Sequence, residues 1–383
     1  MEATHWLRQA EVRMYWTCVL LTTLAAGCGA PVEDANQDDA DSINATSELG
    51  QARPLGLPPP CLVCAPRTLA SGSQMLVTGL AVTGSAVFWS GGVGSAGSVQ
   101  TGIYSVPLYG GSPTLFSDAS PSIPNSLVAA GGSVYWKDGV NSAGPWVISE
   151  AGGTATELGT TGYPIERQQT QGLAVRVTHG ALLSLPLQFN TVVSGDPDLS
   201  HLWKFANSTL LPKQTTTTLL DANAGDSPEN FLYYPDNVTL DGANAYFVSD
   251  RAETNPVYQM SLGGGTPQSI GWAVLQSPIA VYGNNVYFST GTAIATVPVG
   301  GGSTQAAFVT DNVPATTFAI DGSNLYWTCT TCGTVCKHSF TGGETTVIAS
   351  HESAPKFLAV DSSYVYWSTS SAGGNAAIRA FTK

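Results

Sequence analysis

The chain has 383 residues, with 27 acidic side chains against 14 basic ones and a formal net charge of −13. Charged residues make up 11% of it, where a soluble globular domain carries ~25%. So acidic a chain lacks the basic patches that hold a phosphate backbone or an anionic lipid surface, which excludes nucleic acid and electrostatic membrane docking.

Residues 1–27 read as a secretory signal. Arg8 and Arg13 precede an apolar run from Met14 to Ala26 that is too short to span a bilayer. It ends in Leu24-Ala25-Ala26-Gly27-Cys28, which resembles a bacterial lipobox, although Ala25 stands where Leu is usual and Glu2 and Glu11 dilute the leading charge. The resemblance implies that Cys28 is acylated and becomes the mature N-terminus. Two or more acyl chains suffice for stable anchoring. The expected address is therefore the cell envelope, at the outer membrane or cell surface rather than the inner membrane.

Residues 28–60 read as a tether. Six acids (Glu33, Asp34, Asp38, Asp39, Asp41 and Glu48) face Arg53 alone, and the stretch ends in Pro58-Pro59-Pro60. It has too little apolar surface to order itself. It carries −5 of the net charge, which leaves −8 for residues 61–383, read as one domain.

In that domain a ten-residue phrase recurs: LAVTGSAVFW from Leu80, LVAAGGSVYW from Leu127, VTLDGANAYF from Val238, IAVYGNNVYF from Ile279, FAIDGSNLYW from Phe318 and LAVDSSYVYW from Leu358. A blurred copy starts at Leu173. Each phrase reads as a hairpin: an apolar strand, a turn at Asp-Gly, Gly-Gly or Gly-Asn with the positive φ that tight turns need, and a return strand ending in two aromatics. A second hairpin follows most copies, turning at glycine runs such as Gly110-Gly111 and Gly342-Gly343. Four short antiparallel strands repeated every 40 to 50 residues predict a β-propeller. Blades bury both sheet faces, so adjacent positions such as Tyr326-Trp327 are read as packing rather than as ligand contacts.

The seventh copy stops after its third strand, Ile378 to Phe381, while Arg67-Thr68-Leu69-Ala70-Ser71 resembles the last strand of the sixth copy. The expected fold is all-β with seven four-stranded blades, the N-terminal strand closing the last one. Six or eight blades are the alternatives, because the Leu173 copy is degenerate. The phrase resembles that of TolB-like and NHL-like bacterial propellers, "(I/L)AVD-x-x-x-(V/L)YW", over residues 66 to 383. The resemblance implies architecture and leaves function open, since such propellers include scaffolds, binders and enzymes.

Cys61, Cys64, Cys329, Cys332 and Cys336 follow Cys28. Export favours disulfides, with zinc as the alternative for paired Cys-x-x-Cys units near His338, and a local bridge would fit the hairpin from Cys329 to Cys336. Gly92-Val-Gly-Ser-Ala-Gly97 matches a dinucleotide fingerprint but has no helix after it. Asp221 to Asp226 resembles a calcium loop without its closing Glu. Of His179, His201, His338 and His351, three lie in or beside strands or turns of different copies, so no metal or catalytic set can be assembled from the sequence and no cofactor is expected.

Loops between second and third strands (Gly91–Gly102, Lys137–Pro145, Leu187–Ser200) and between blades (Gly159–Gly172, Asp221–Asn237) look long and share one face. That face, near the central channel, is the expected working surface, with Phe231, Tyr233, Tyr234, Asp236, Asp196, Asp198 and His201 as candidates. The favoured reading is a binding scaffold for an envelope protein, glycan or small molecule. A metal-dependent hydrolase or lyase working in the channel is the alternative.

Overall fold

The computed structural model describes residues 65–95, 98–118, 123–138, 145–158, 173–182, 185–196, 201–208, 215–221, 235–249, 255–302, 305–310, 313–371 and 374–383, with the backbone alone from 176 to 236. Cys28, Cys61 and Cys64 lie outside these residues.

The strands form seven four-stranded antiparallel sheets. The first holds β2 (Leu76–Val82), β3 (Ala86–Ser95), β4 (Ser98–Pro107) and β5 (Thr114–Ser117). The second holds β6 (Pro124–Ala130), β7 (Ser133–Asp138), β8 (Trp146–Ser149) and β9 (Thr156–Glu157). The third holds β10 (Leu173–Leu182), β11 (Leu185–Asp196), β12 (His201–Ser208) and β13 (Thr215–Asp221). The fourth holds β14 (Pro235–Leu240), β15 (Asn244–Ser249), β16 (Asn255–Ser261) and β17 (Gln268–Ala273). The fifth holds β18 (Ile279–Tyr282), β19 (Asn285–Ser289), β20 (Ile294–Pro298) and β21 (Ala306–Val309). The sixth holds β22 (Thr317–Ile320), β23 (Asn324–Cys329), β24 (Thr334–Ser339) and β25 (Thr346–Ala349). In the seventh, β26 (Leu358–Val360), β27 (Tyr364–Ser371) and β28 (Asn375–Thr382) are completed by β1 (Arg67–Gly72). The first strands of successive sheets touch in turn, and β26 meets β2, so the sheets close a propeller ring.

Closure rests on β1 pairing with β28, from Arg67 opposite Ala380 to Gly72 opposite Ala376. Side chains reinforce it. Arg379 donates to Pro66 O at 3.2 Å and pairs with Glu352 at 3.3 Å, while Trp367 Nε1 donates to the other Glu352 oxygen at 3.0 Å. Arg67 donates to Leu108 O of the first blade and stacks over Tyr364 at 5.1 Å.

The aromatic pair divides its work between neighbours. Phe88 packs towards the second blade, with Leu127, Val134 and Trp136. Trp89 packs backwards, with Tyr366 and Ile378 of the last blade. The same alternation places Tyr326 against Trp367, and Tyr287 against Trp327. Six such pairs are 5% exposed or less. Truncating one ring costs ~3–5 kcal/mol.

The hairpin turns differ from expectation. Gly131 and Gly132 take φ of 56° and 73°, as the sequence predicts. Gly242 and Gly322 do not use positive φ; the preceding aspartates shape those turns instead. Asp321 Oδ1 accepts the Ser323 and Asn324 amides at 2.8 Å, and its Oδ2 accepts the Tyr326 hydroxyl at 2.8 Å. Asp241 and Asp361 repeat the bracket with Tyr246 and Tyr366. One carboxylate thus closes the turn and fixes the ring five residues on.

Two presumed loops are strand. The Gly91–Gly102 stretch is a paired arm running to Ser95 opposite Ser98, because tight glycine backbones tolerate pairing. This also removes the dinucleotide reading of Gly92 to Gly97. In the third blade, β11 extends through the start of the Leu187–Ser200 stretch to Asp196, opposite His201.

Asp321 generates a prediction. Burial pushes its carboxyl up, but hydrogen bonds from Lys383, the Ser323 amide, Tyr326 and the Asn324 amide outweigh that and hold it at about 2. A carboxyl held below its unfolded value of ~3.9 gives stability that is complete above that pH and lost as pH falls through the folded value. Denaturant unfolding should therefore show the native protein losing stability between about pH 4 and pH 2, with a smaller loss over that window in Asp321→Asn. An equal loss in the variant would refute the bracket's contribution.

Candidate binding site at the channel mouth

The first residues of the seven copies converge. Leu80, Leu127, Leu173, Val238, Ile279, Phe318 and Leu358, one from each blade, line an open cavity of about 190 Å³. The collar positions stand at or near the start of β10, β18, β22 and β26 and midway along β2, β6 and β14, all of them innermost strands. The periodicity explains the ring. Inner strands sit at equivalent places in every blade, so an apolar residue at one repeat position becomes a continuous apolar collar. Ile279 and Phe318 are the half-buried members, with the most surface still open.

Around the collar, polar groups tie blade to blade. Thr78 Oγ1 donates to Pro124 O of the next blade. Asn237 Nδ2 donates to Ser277 O at 3.0 Å, and Thr328 Oγ1 to Lys356 O at 2.8 Å. Bulges in β2 and β14 set Thr78 and Asn237, and a bulge in β6 sets Ser126. Ser126 and Asn237 take φ of 51° and 44° there. Non-glycine residues in this region cost energy and are held by their surroundings. Asn237 and Thr317 line the cavity beside the aliphatic residues, and Thr317 Oγ1 has no partner among the described residues, so the collar exposes apolar and polar surface in similar measure.

Among the described residues lining the cavity there is no carboxylate and no histidine, and among the described residues no group of three or more His, Cys, Asp and Glu could hold a metal. His338 is buried in the sixth blade, its Nδ1 3.3 Å from Thr345 Oγ1 and its ring edge-on to Phe308. His351 is exposed.

Cys329 bridges Cys332, and Cys336 is a buried thiol. The bridge lies within the hairpin where the sequence places a local disulfide, and the third cysteine stands out of its reach. Cys336 lies opposite Trp327 and Cys329 opposite Thr334, so the two cysteines are diagonal neighbours. Diagonal spacing of ~7–8 Å exceeds what a disulfide spans without backbone movement.

Of the residues singled out earlier, Asp196 and His201 face each other in register at the end of the β11–β12 hairpin. Asp236 stands in β14 one residue before Asn237, at the channel end of its blade. Phe231, Tyr233, Tyr234 and Asp198 lie outside the described residues. The collar was missed as a site. Its signal was present, since the phrase opens on Leu, Val, Ile or Phe in every copy, but such residues read equally as ordinary strand.

No protein-family model and no curated protein matches the sequence. Solved structures do match. A streptogramin B lyase aligns at a TM-score of 0.55 and 12% identity, over 83% of this chain and 97% of that one. Virginiamycin B lyase from Staphylococcus aureus aligns at 0.55 and 13%, over 83% and 98%. Its catalytically inactive His-to-Ala variant with quinupristin aligns at 0.53 and 12%, over the same shares. At such identities the likeness is one of fold.

The mouth requires a glycine at position 79. A Cβ there would lie 2.7 Å from Ser90 Oγ and 2.9 Å from the Leu127 amide, whereas one at Gly84 meets nothing within 4 Å. Gly79→Ala should therefore destabilise the protein by about 1–3 kcal/mol through overpacking, with Gly84→Ala nearly neutral, as read by thermal unfolding. Equal effects of the two substitutions would show that the first two blades do not approach so closely.

Proposed function

We propose that the chain is an exported, lipid-anchored propeller whose channel mouth is a binding platform for an envelope component: a protein, a glycan or a small molecule. The observation that carries this reading is the apolar collar, whose described members bring together no acid, base or metal ligand. Catalysis on a polar substrate needs ionisable groups or a metal converging on one point. Recognition needs a rigid concave surface that combines apolar contact with placed polar groups, and the cavity supplies one, with Asn237 and Thr317 beside the aliphatic collar. The Cys28 lipobox, the signal before it and the acidic tether after it support presentation of that surface at a membrane, with the outer membrane or cell surface as the preferred place.

The lyase likeness gives the competing reading a direct test, because quinupristin is the compound found with the inactive lyase variant. The purified protein should leave quinupristin intact, with or without added divalent metal. Its consumption would replace the scaffold reading with an enzymatic one.

The binding reading predicts that Ile279→Ser with Phe318→Ser, at the two half-buried collar positions, lowers capture of the partner from envelope extract by about tenfold or more while the melting temperature stays within a few degrees. Unchanged capture would move the site off the collar. For the anchor, the native chain should incorporate labelled palmitate and fractionate with membranes. Cys28→Ala should do neither, and an unlabelled native chain would overturn the lipid attachment.

A further inference from the structure

The Cys329–Cys332 disulfide has features that structural stabilisation does not explain. It closes a loop only three residues apart in sequence, the kind of closure that constrains an unfolded chain least. The turn it spans is held without it. Gly333 N donates to Cys329 O at 3.0 Å, Glu352 N donates to Gly333 O at 3.0 Å, and the β23–β24 ladder continues beneath. Thr330, between the two cysteines, donates through Oγ1 to Pro355 O at 2.7 Å and through its amide to Thr316 Oγ1 at 3.2 Å. Opening the bond would therefore leave the two sulfurs close together.

The two sulfurs are also unlike. Cys332 is exposed, whereas Cys329 is 1% exposed. Of the two residues, Cys332 is the one that offers surface to an incoming thiolate. The leaving group is then Cys329 Sγ, which already accepts the Cys332 amide at 2.9 Å and lies 3.5 Å from the Thr331 hydroxyl. Burial disfavours a thiolate at Cys329, and donors aimed at that sulfur offset the penalty and assist its departure. Glu352, whose backbone meets this turn, has its carboxylate engaged by Arg379 and Trp367. The third cysteine stands apart: burial pushes the Cys336 thiol up, and it is 7% exposed.

We propose that Cys329–Cys332 is an exchangeable disulfide at the channel-side face of the sixth blade, with Cys332 as its attack point for small thiols or an accessible protein thiol. The external thiolate attacks Cys332 Sγ, the Cys332–Cys329 bond breaks, and Cys329 leaves with the electron pair as a thiolate. The product is a mixed disulfide on Cys332. Return attack by Cys329 on that sulfur releases the external thiolate and restores the bond, and attack by a second external thiol on the mixed disulfide leaves the dithiol and an oxidised thiol pair. Atoms and electrons balance in each step, and the reductant is the external thiol. This inference is independent of what the collar binds.

The test uses the full chain in detergent, equilibrated natively with glutathione buffers of varied ratio, acid-quenched, alkylated and read by peptide mass spectrometry, with Cys61 and Cys64 on a separate peptide. The expected result is reduction of Cys329–Cys332 within the glutathione range, a glutathione adduct on Cys332 and no modification of Cys336. In single variants, Cys332 in Cys329→Ser should form the adduct at least about tenfold faster than Cys329 does in Cys332→Ser, as the exposure difference requires. Thermal unfolding of both variants checks that the blade survives. A bond that resists reduction until the protein unfolds, or equal reactivity of the two sulfurs in folded variants, overturns the proposal.

Discussion

The ring depends on one short antiparallel ladder between two stretches more than 300 residues apart in the chain. Thr68 opposite Arg379 and Ala70 opposite Ile378 join β1 to β28. Each blade can bury its faces only against its neighbours, so an open array would leave two aromatic faces and two sheet edges in water. The ladder removes both liabilities together. It places Leu69 and Ala70 in the same apolar cluster as Trp89 and Ile378, so sealing the last blade and packing it on the first are one event. Charge guards the seam, because Arg379 holds Pro66 O and Glu352 together. Every other first-strand position is located by this closure, including those that form the collar.

The sequence made the architecture legible because the constraint repeats. Adjacent aromatics such as Tyr366-Trp367 are incompatible with a sheet wet on one face, and their recurrence with glycine- or aspartate-bearing turns left few alternatives to a propeller. The matching ends, Arg67 to Ser71 and Ile378 to Phe381, were readable for the same reason, since each was a recognisable part of a unit missing its complement. Turn chemistry was read less well. Asp-Gly suggested a glycine-driven turn, but in Asp241 and Asp321 the carboxylate does the shaping, and sequence alone does not distinguish a permissive residue from a bonding one. The stretch from Gly91 to Gly102 reads as loop in the sequence, since glycine has little strand propensity, yet cross-strand pairing out to Ser95 and Ser98 overrides that preference.

The cysteines and the collar show a different limit. Three cysteines within eight residues allow several pairings, and only strand register separates them: Cys336 belongs opposite Trp327, out of reach of Cys329. The collar residues are individually ordinary. Their meaning comes from seven-fold superposition, a property of the closed ring and not of any one copy. A repeat scan finds the position. Closure then turns it into a concave surface.

That superposition also bounds what the collar can discriminate. A ring of near-equivalent aliphatic groups presents the same contact from every direction, so it can supply affinity through burial but little orientation. The asymmetry lies in the departures from the repeat. Phe318 replaces an aliphatic residue in the sixth blade, and Pro278 precedes Ile279 in the fifth, where Ser126 and Asn237 occupy the equivalent place in two other blades. The β3–β4 arm rises from the first blade, and the cross-linked turn at Cys329 to Cys332 marks the sixth. An occupant of the mouth would meet a ring of repeated aliphatic contacts, interrupted by polar groups such as Asn237 and Thr317, and a rim that differs blade by blade. Recognition would then be divided, with the conserved geometry of the repeat giving depth and the irregular segments at its edge giving selectivity.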